Sequence, residues 1–274
     1  VIQHWIMQIM DKTLEGLRVL VTRSEHQAEL LCKLIEDHGG KAIRFPVIEI
    51  NKSDNQQAAE KLLKNISQYD IGIFISRNAV DWTMKLLGGK YSALEGLSII
   101  AIGATTAEVL EQFLSKDVII NNGINSESLL EIDALSTNEI SGKGIIIFRG
   151  EGGRELLATT LRKRGAKVDY AEVYRRDCPE YDKDVINQLW LKDTPDAVIV
   201  TSNNGLQNLF ALLNDEQRSI LLSKQLIVMG KRMSDFSIGF SFANPPILAE
   251  ESSDKGILKA IVKWAALEKS RRVN

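Results

Sequence analysis

The sequence predicts an α/β protein built from two similar domains, each with a parallel sheet, and two observations support this fold class. Short runs of β-branched and other apolar residues alternate along the chain with segments of helical periodicity. This alternation is typical of parallel α/β architecture. The second half of the chain also repeats the first half at a nearly constant offset. A duplicated α/β unit is expected to give two similar domains with one cleft between them.

The predicted strands form two series of continuous apolar runs, which indicates sheets covered on both faces. The first series comprises 18–21 (RVLV), 42–45 (AIRF), 71–75 (IGIFI), 98–102 (SIIAI) and 118–120 (VII). The second series comprises 144–148 (GIIIF), 167–174 (KVDYAEVY), 197–200 (AVIV), 225–229 (QLIVM) and 246–249 (PILA).

Helices are predicted between these strands. The segments are 25–38, 77–87, 104–114, 152–164, 203–213 and 254–267. In the first of them, Ala28, Leu31 and Ile35 recur on one face at helical spacing. Glycine ends this helix at 39–40 and its counterpart at 165, which is a common helix terminator.

The repeat is visible at four strand ends. Asp70 and Asp196 are separated by 126 positions, as are Ser76 and Ser202, and Arg23 and Arg149; Gly103 and Gly230 are separated by 127. The surrounding sequences are also alike, as in YDIGIFISRNAV and PDAVIVTSNNGL. The duplication is therefore predicted from position and context together.

Composition excludes several function classes. Hydrophobic residues make up 44% of the chain and charged residues 26%, which is ordinary for a globular protein, and the net charge of −2 gives no reason to expect nucleic acid. Cys32, Cys178 and three histidines show no metal-ligand spacing. The apolar start VIQHWIMQI is too short to span a bilayer. We therefore expect a cytoplasmic monomer with reduced thiols, with residues 1–15 as an N-terminal extension and without a metal, a nucleic acid or a membrane as partner.

Residues that follow the strands predict an anion-binding site, because ligands of parallel α/β sheets bind at the carboxyl ends of the strands. Hydroxyls, amides, glycines and cations dominate these positions, and helix N-termini add free N–H groups. The candidate binding residues are Arg23, Ser76, Arg77, Thr105, Thr106, Arg149, Gly150, Arg154, Ser202, Asn203, Lys231 and Arg232. Residues 142–176 also contain nine basic residues against four acidic ones.

Structural interpretations of the same residues stay open. Each serine or threonine could be a helix N-cap. Arg23 could pair with Glu25, and Arg149 with Glu151. The glycines of GEGG suggest dinucleotide binding, but the chain contains no GxGxxG and no GxxxxGK[ST] motif. The sequence also shows no GxSxG serine, so any catalysis would use shape, anion binding and a weak acid. Tyr174 is the best-placed candidate, although it could be only a strand aromatic.

The ordered segments resemble the uroporphyrinogen-III synthase family over about residues 16–267. The segments that carry the resemblance are VLVTRSEHQAELLCKLIEDHGGKAIRFPVIEI, IFISRNAV, AIGATTAEVL, FRGEGGRELLATTLRKRGAKVDYAEVYRR and VIVTSNNGLQNL. The resemblance implies two flavodoxin-like domains with interchanged halves. One would contain 16–47 and 175–268, and the other 48–174. They would be joined by a two-stranded linker made of 46–50 and 172–176.

The resemblance also implies an activity that needs no cofactor. The family cyclises hydroxymethylbilane, a linear tetrapyrrole with eight carboxylates, to uroporphyrinogen III, with loss of water and inversion of the last pyrrole ring. Position-by-position matching makes Ser76, Thr106, Tyr174 and Ser202 the family-like site residues, with Tyr174 as the proton donor. This chain departs from the family at Met233, where a functional threonine is expected. The alternative is a non-catalytic two-domain module that binds a polycarboxylate.

Overall fold

The computed structural model describes residues 13–121, 123 and 126–273, without the side chains of 26 and 271–273. Of the predicted extension 1–15, residues 1–12 lie outside this description. The described chain divides into two compact units. Residues 13–49 and 177–273 belong to the first unit, and Ile50–Arg176 forms the second.

Eleven strands are present among the described residues. They are β1 Arg18–Val21, β2 Lys41–Arg44, β3 Glu49–Lys52, β4 Ile71–Phe74, β5 Ser98–Ile102, β6 Val118–Asn121, β7 Gly144–Gly150, β8 Lys167–Asp177, β9 Ala197–Val200, β10 Gln225–Met229 and β11 Ile247–Ala249. Ten of them follow the predicted apolar runs, and β3 overlaps the linker segment 46–50 that the family resemblance implied.

Helices connect the strands. The α-helices are Glu25–Asp37, Gln56–Lys64, Arg77–Leu87, Ala104–Glu111, Ser126–Leu129, Thr137–Ile140, Leu156–Lys163, Lys183–Asn187, Asn203–Leu212, Asp215–Ser223, Lys231–Ser237 and Asp254–Val273. Short 3-10 turns occupy Ile66–Gln68, Tyr91–Leu94, Asp133–Leu135 and Ile238–Phe240, and Gln188–Lys192 is a π-helical turn.

One predicted helix begins later than expected. The prediction placed it at 152–164, but the helix covers Leu156–Lys163. Gly152 and Gly153 have φ values of 69° and 98°, and a right-handed helix requires negative φ. The glycines therefore form a turn between β7 and the helix.

The first unit contains a five-stranded sheet in the order β11-β10-β9-β1-β2. Its paired strands are parallel. Helices Glu25–Asp37 and Asp254–Val273 pack on one face, where Leu31 and Ile261 are fully buried. The other face buries Trp190 and Leu206. Both faces of the sheet are thus covered, as the continuous apolar strands predicted.

The second unit contains a six-stranded sheet in the order β3-β8-β7-β4-β5-β6. The pairs from β8 to β6 are parallel. One face buries the stacked rings of Phe74 and Phe148. The other buries Ile147 against helix Leu156–Lys163 through Leu161.

The order of the strands confirms the exchange of halves between the two repeats. In the first unit the order is β2-β1-β9-β10-β11, and in the second the equivalent strands are β8-β7-β4-β5-β6. Each sheet therefore combines the first two strands of one repeat with the last three strands of the other. The implied linker segments 46–50 and 172–176 correspond to β3, which begins later at Glu49, and to the end of β8. These two strands are neighbours in the sheet and contain the 49–50 and 176–177 boundaries of the units.

Two aspartates at equivalent positions of the repeats each accept a hydrogen bond from the first residue of a strand. The Asp70 carboxylate accepts a hydrogen bond of 2.8 Å from the N–H of Gly144, where β7 begins. The Asp196 carboxylate accepts one of 2.8 Å from the N–H of Arg18, where β1 begins. The duplication thus extends from the sequence to individual hydrogen bonds.

Candidate active site

Three adjacent strands of the second unit bring Ser76, Gly150 and Tyr174 together at their carboxyl ends. The hydroxyl oxygens of Ser76 and Tyr174 are 3.2 Å apart, and either can donate to the other. Gly150 lies against the tyrosine ring, because a β carbon added at this glycine would be 2.6 Å from the ring atom Cε2. These three predicted site residues therefore form one contiguous group.

A β-bulge between β7 and β8 sets the direction of Tyr174. Arg149 is opposite Glu172, but Gly150 is opposite Tyr174, so Val173 is an extra residue in the ladder. Side chains normally alternate between the two faces of a strand, and a bulge changes that alternation. Val173 and Tyr174 are consecutive, yet both are buried in the same core cluster. The bulge therefore turns the phenol toward Ser76.

Ser76 combines two roles that the sequence analysis treated as alternatives. It is the N-cap of helix Arg77–Leu87, where its Oγ accepts a 3.2 Å hydrogen bond from the N–H of Ala79. The same oxygen contacts the Tyr174 hydroxyl. A serine oxygen has two lone pairs and one proton, so it can serve both contacts at once.

Ser202 is the equivalent of Ser76 in the first unit, but the position equivalent to Tyr174 there is not a tyrosine. It caps helix Asn203–Leu212 by accepting a 3.0 Å hydrogen bond from the N–H of Gly205. The position equivalent to Tyr174, 126 residues earlier, is Ile48. Ile48 packs against the hydrophobic core of the first unit. The tyrosine–serine pair is therefore specific to the second unit.

Arg176 also belongs to the group, and the predicted site omitted it. Its Nη2 donates a 2.8 Å hydrogen bond to the Tyr174 oxygen. Its guanidinium carbon is 5.3 Å from the centre of the tyrosine ring. The signal was available in the sequence, because residues two apart on a strand share a face.

Arg23 pairs with an acid other than the predicted Glu25. Its Nη1 contacts the Asp254 carboxylate, and 17% and 18% of the two side chains are exposed. Asp254 lies 231 residues away, at the start of helix Asp254–Val273. Neighbouring residues in the sequence could not predict this partner, because Arg23 and Asp254 come into contact only through the exchange of halves in the fold.

Arg149 is buried, and its ion pair is also with a residue other than Glu151, the partner considered from the sequence. Only 5% of its side chain is exposed, and Nη1 is 3.3 Å from the Glu155 carboxylate. Its guanidinium carbon lies 4.4 Å from the centre of the Tyr170 ring. Burial is the main cause that raises the pKa of Tyr170. Arg149 thus packs within the second unit, on the sheet face opposite Tyr174.

Glu151 forms hydrogen bonds with residues 53 and 54, directly after β3. Its carboxylate accepts hydrogen bonds of 2.6 Å from the Ser53 hydroxyl and 2.6 Å from the N–H of Asp54. The Ser53 contact is the largest of the causes that hold the pKa of Glu151 below its ordinary value. The glycine-rich turn after β7 is therefore attached to the segment that follows β3.

Three exposed cations among the predicted site residues have acidic neighbours. Arg77 Nε is 3.6 Å from the Asp81 carboxylate, and Lys231 Nζ is 2.7 Å from that of Asp235. Arg154 makes two contacts with Glu127, of 2.5 and 3.2 Å. Exposed pairs of this kind contribute about 0–1 kcal/mol, so a ligand carboxylate can replace the acidic partner at little cost.

The remaining predicted residues differ in exposure. Thr105 and Arg232 are exposed, Asn203 is half-buried and Thr106 is buried. Met233, at the position of the expected threonine, packs in the hydrophobic core. The predicted residues are divided between the units. The second unit carries Ser76, Arg77, Thr105, Thr106, Arg149, Gly150, Arg154 and Tyr174, and the first carries Arg23, Ser202, Asn203, Lys231 and Arg232.

No group of three or more His, Cys, Asp or Glu side chains among the described residues is arranged to hold a metal ion. No helix within the same residues has the length and apolar character needed to cross a membrane.

The fold and the strand-end residues define a class of protein: a two-unit parallel α/β protein with hydroxyls, cations and helix N-termini at the carboxyl ends of its strands. The family model described as uroporphyrinogen-III synthase HemD matches residues 28–258. The chain belongs to the uroporphyrinogen-III synthase family.

Individual relatives agree with this family. The chain is 34% identical to the uroporphyrinogen-III synthase of Proteus mirabilis over 178 residues, which cover 64% of this chain and 87% of the relative. It is 29% identical to that of Escherichia coli (strain K12) over 248 residues, or 89% of this chain and all of the relative. The crystal structure of uroporphyrinogen-III synthetase from Helicobacter pylori 26695 has a TM-score of 0.62 at 15% identity, covering 90% of this chain and 99% of that one. This last similarity shows the fold.

Proposed function

We propose that this protein is a uroporphyrinogen-III synthase, a cyclising lyase of tetrapyrrole biosynthesis. The observation that carries the proposal is the family match over residues 28–258, which includes most of both repeats together with Ser76 and Tyr174. The substrate would be hydroxymethylbilane, and the product uroporphyrinogen III. The same proposal describes a cytoplasmic monomer that needs no cofactor.

The chemistry of the strand ends supports a substrate with eight carboxylates. Each sheet offers cations and helix N-termini after its strands, in the two sets of candidate residues given above. Hydrogen bonds between such groups and carboxylates contribute about 1.5–3 kcal/mol each. The exposed Arg77 and Arg154 can exchange their weak partners, Asp81 and Glu127, for carboxylates of the substrate.

The reaction begins with loss of the terminal hydroxyl group. The adjacent pyrrole nitrogen donates electron density as the C–O bond breaks, so the carbon becomes part of an azafulvenium-like cation. The substituted α carbon of the last ring attacks this cation and forms a spiro intermediate. Fragmentation and reclosure then invert the ring, and its free α carbon releases a proton at closure. Water is the other product.

Tyr174 and Ser76 provide a route for the proton that the departing hydroxyl needs. Tyr174 is fully buried, whereas Ser76 is partly exposed. The contact of 3.2 Å between their hydroxyls supports a relay in which Ser76 gives its proton to the leaving oxygen and receives the proton of Tyr174. The O–H electron pair stays on the phenol oxygen, and the proton released at ring closure restores the phenol.

The main contribution of the protein would be conformational. Hydroxymethylbilane can close without help at the free position of its last ring, which gives the uninverted isomer I. A protein that holds this ring with its substituted carbon facing the cation favours isomer III, since positioning of reacting atoms accelerates one of two competing steps. The proton relay would add a smaller factor.

The test is to incubate the purified protein with freshly prepared hydroxymethylbilane, oxidise the products and separate the isomers by chromatography. The proposal expects isomer III to predominate. Isomer I in the proportion found with heat-inactivated protein contradicts it. A non-catalytic polycarboxylate-binding module would bind the tetrapyrrole and still leave that proportion unchanged.

A further inference from the structure

The hydroxyl group of Tyr174 lies in a chain of hydrogen bonds that begins at a cation. Arg176 Nη2 donates to the tyrosine oxygen at 2.8 Å. The tyrosine oxygen is 3.2 Å from Ser76 Oγ. Ser76 Oγ accepts from the N–H of Ala79 at 3.2 Å. All four residues are in the second unit.

The charge of Arg176 determines which groups donate and which accept in this series of hydrogen bonds. A guanidinium has N–H donors and no acceptor, so the tyrosine oxygen accepts from Arg176. Its own proton is then free for Ser76 Oγ, whose other neighbour, the Ala79 N–H, is also a donor. The contacts thus arrange the phenol as the donor and the serine as the group that passes a proton onward.

The same contact suits the charge that develops during the reaction. When the proton of Tyr174 moves to Ser76, negative charge grows on the phenol oxygen. A hydrogen bond from a cation to a developing oxyanion strengthens during this step and favours the transition state over the ground state. Arg176 can do this through its hydrogen bond to the phenol oxygen.

We propose that Arg176 is a positioning residue that fixes Tyr174 as the proton donor of the relay through Ser76. This inference rests on the proposed synthase function and adds a residue to its machinery. Arg176 follows Tyr174 by two positions within β8, beyond the bulge at Val173. The strand geometry therefore holds the guanidinium beside the phenol.

A double-mutant cycle distinguishes this role from direct binding of a substrate carboxylate. The variants are Arg176→Gln, Tyr174→Phe and the double variant, with isomer III formation measured under steady-state conditions. We expect Tyr174→Phe to lower kcat by about tenfold, below the usual range for an acid–base group because this hydroxide leaves readily. Arg176→Gln should lower kcat by no more than that factor, with KM changed less than about twofold. In the Tyr174→Phe background Arg176→Gln should have no further effect, because the group it positions is absent.

Two further variants control for charge and folding. Arg176→Lys keeps a cationic donor and should restore part of the turnover. Arg175→Gln removes one charge from the neighbouring residue, whose Nη1 lies 2.5 Å from the Asp54 carboxylate, and should leave kcat unchanged. Thermal unfolding of every variant shows whether a loss of turnover reflects a loss of structure.

Multiplicative losses in the double variant, or a raised KM at unchanged kcat for Arg176→Gln, would overturn the inference while the wild type still forms isomer III. A wild-type protein that leaves isomer I predominant would overturn the proposed function and this inference together.

Discussion

Gly150 lies so close to Tyr174 that a side chain at position 150 would occupy the same space as the tyrosine ring. A β carbon there would be 2.6 Å from Cε2 and 3.1 Å from the hydroxyl oxygen. The strand backbone at Gly150 does not require a positive φ, so the steric contact, rather than backbone strain, is the reason for glycine here.

Gly150→Ala is therefore expected to displace the phenol from Ser76. Overpacking of this kind costs about 1–3 kcal/mol in the free energy of unfolding, and turnover should fall with the loss of the relay. Urea unfolding and the isomer assay measure the two effects. Gly96→Ala is the matched control in the same unit, because a β carbon at Gly96 meets nothing within 4 Å. Equal losses of stability and turnover in Gly150→Ala and Gly96→Ala would contradict the close packing of Gly150 against Tyr174.

Ser76→Ala is expected to affect both stability and turnover. Loss of an N-cap costs about 1 kcal/mol, and loss of the hydroxyl breaks the relay, so kcat should fall about as much as in Tyr174→Phe. Asn214→Ala removes the capping box of helix Asp215–Ser223 and should cost similar stability at unchanged kcat. If Ser76→Ala kept full turnover, the relay would be wrong.

Asp254→Asn is expected to destabilise the first unit. It leaves the mostly buried Arg23 without its carboxylate, and breaking such a pair can cost about 3–5 kcal/mol when fully buried. We expect about 2 kcal/mol here because both side chains are partly exposed. Asp215→Asn, in the exposed pair with Arg218, should cost less than about 1 kcal/mol. Chemical denaturation of both variants tests the difference, and equal small losses would contradict it.

Glu151→Gln is expected to remove a pH-dependent part of the stability. The folded pKa of Glu151 lies below its ordinary value of 4.5, mainly because of the Ser53 hydroxyl. A depressed carboxylate pKa stabilises the folded state above the unfolded pKa, and this stabilisation is lost as pH falls through the folded pKa. The variant should therefore be less stable than the wild type at pH 7, by less than about 1 kcal/mol, and the gap should close below pH 4.5. Unfolding curves at several pH values measure it; a gap that widens in acid would contradict the assignment.

The sequence predicted the parts of the fold that local patterns and the repeat determine. The strands at 18–21, 98–102, 197–200 and 225–229 have the predicted bounds, because apolar runs with polar ends identify buried parallel strands. The resemblance to a family added the exchange of halves, which no local pattern contains. The position of Tyr174 beside Ser76 remains a site prediction supported by their contact.

The rest depended on long-range contacts. The Arg23 partner is far away in the chain, and the bulge that directs Tyr174 depends on the pairing of β7 with β8. Arg176 shares a strand face with Tyr174, which the sequence shows, but its hydrogen bond to the phenol depends on the direction that the bulge gives the tyrosine. These features are set by tertiary register rather than by residue type.

Carbon–carbon connectivity tests the account most directly. Hydroxymethylbilane would carry ¹³C at the hydroxymethyl carbon and at the substituted α carbon of its last ring, which are not bonded in the substrate. We predict that the product formed by this protein shows one-bond ¹³C–¹³C coupling, since ring inversion joins these two atoms. A product without that coupling, as simple closure at the free position gives, would contradict it.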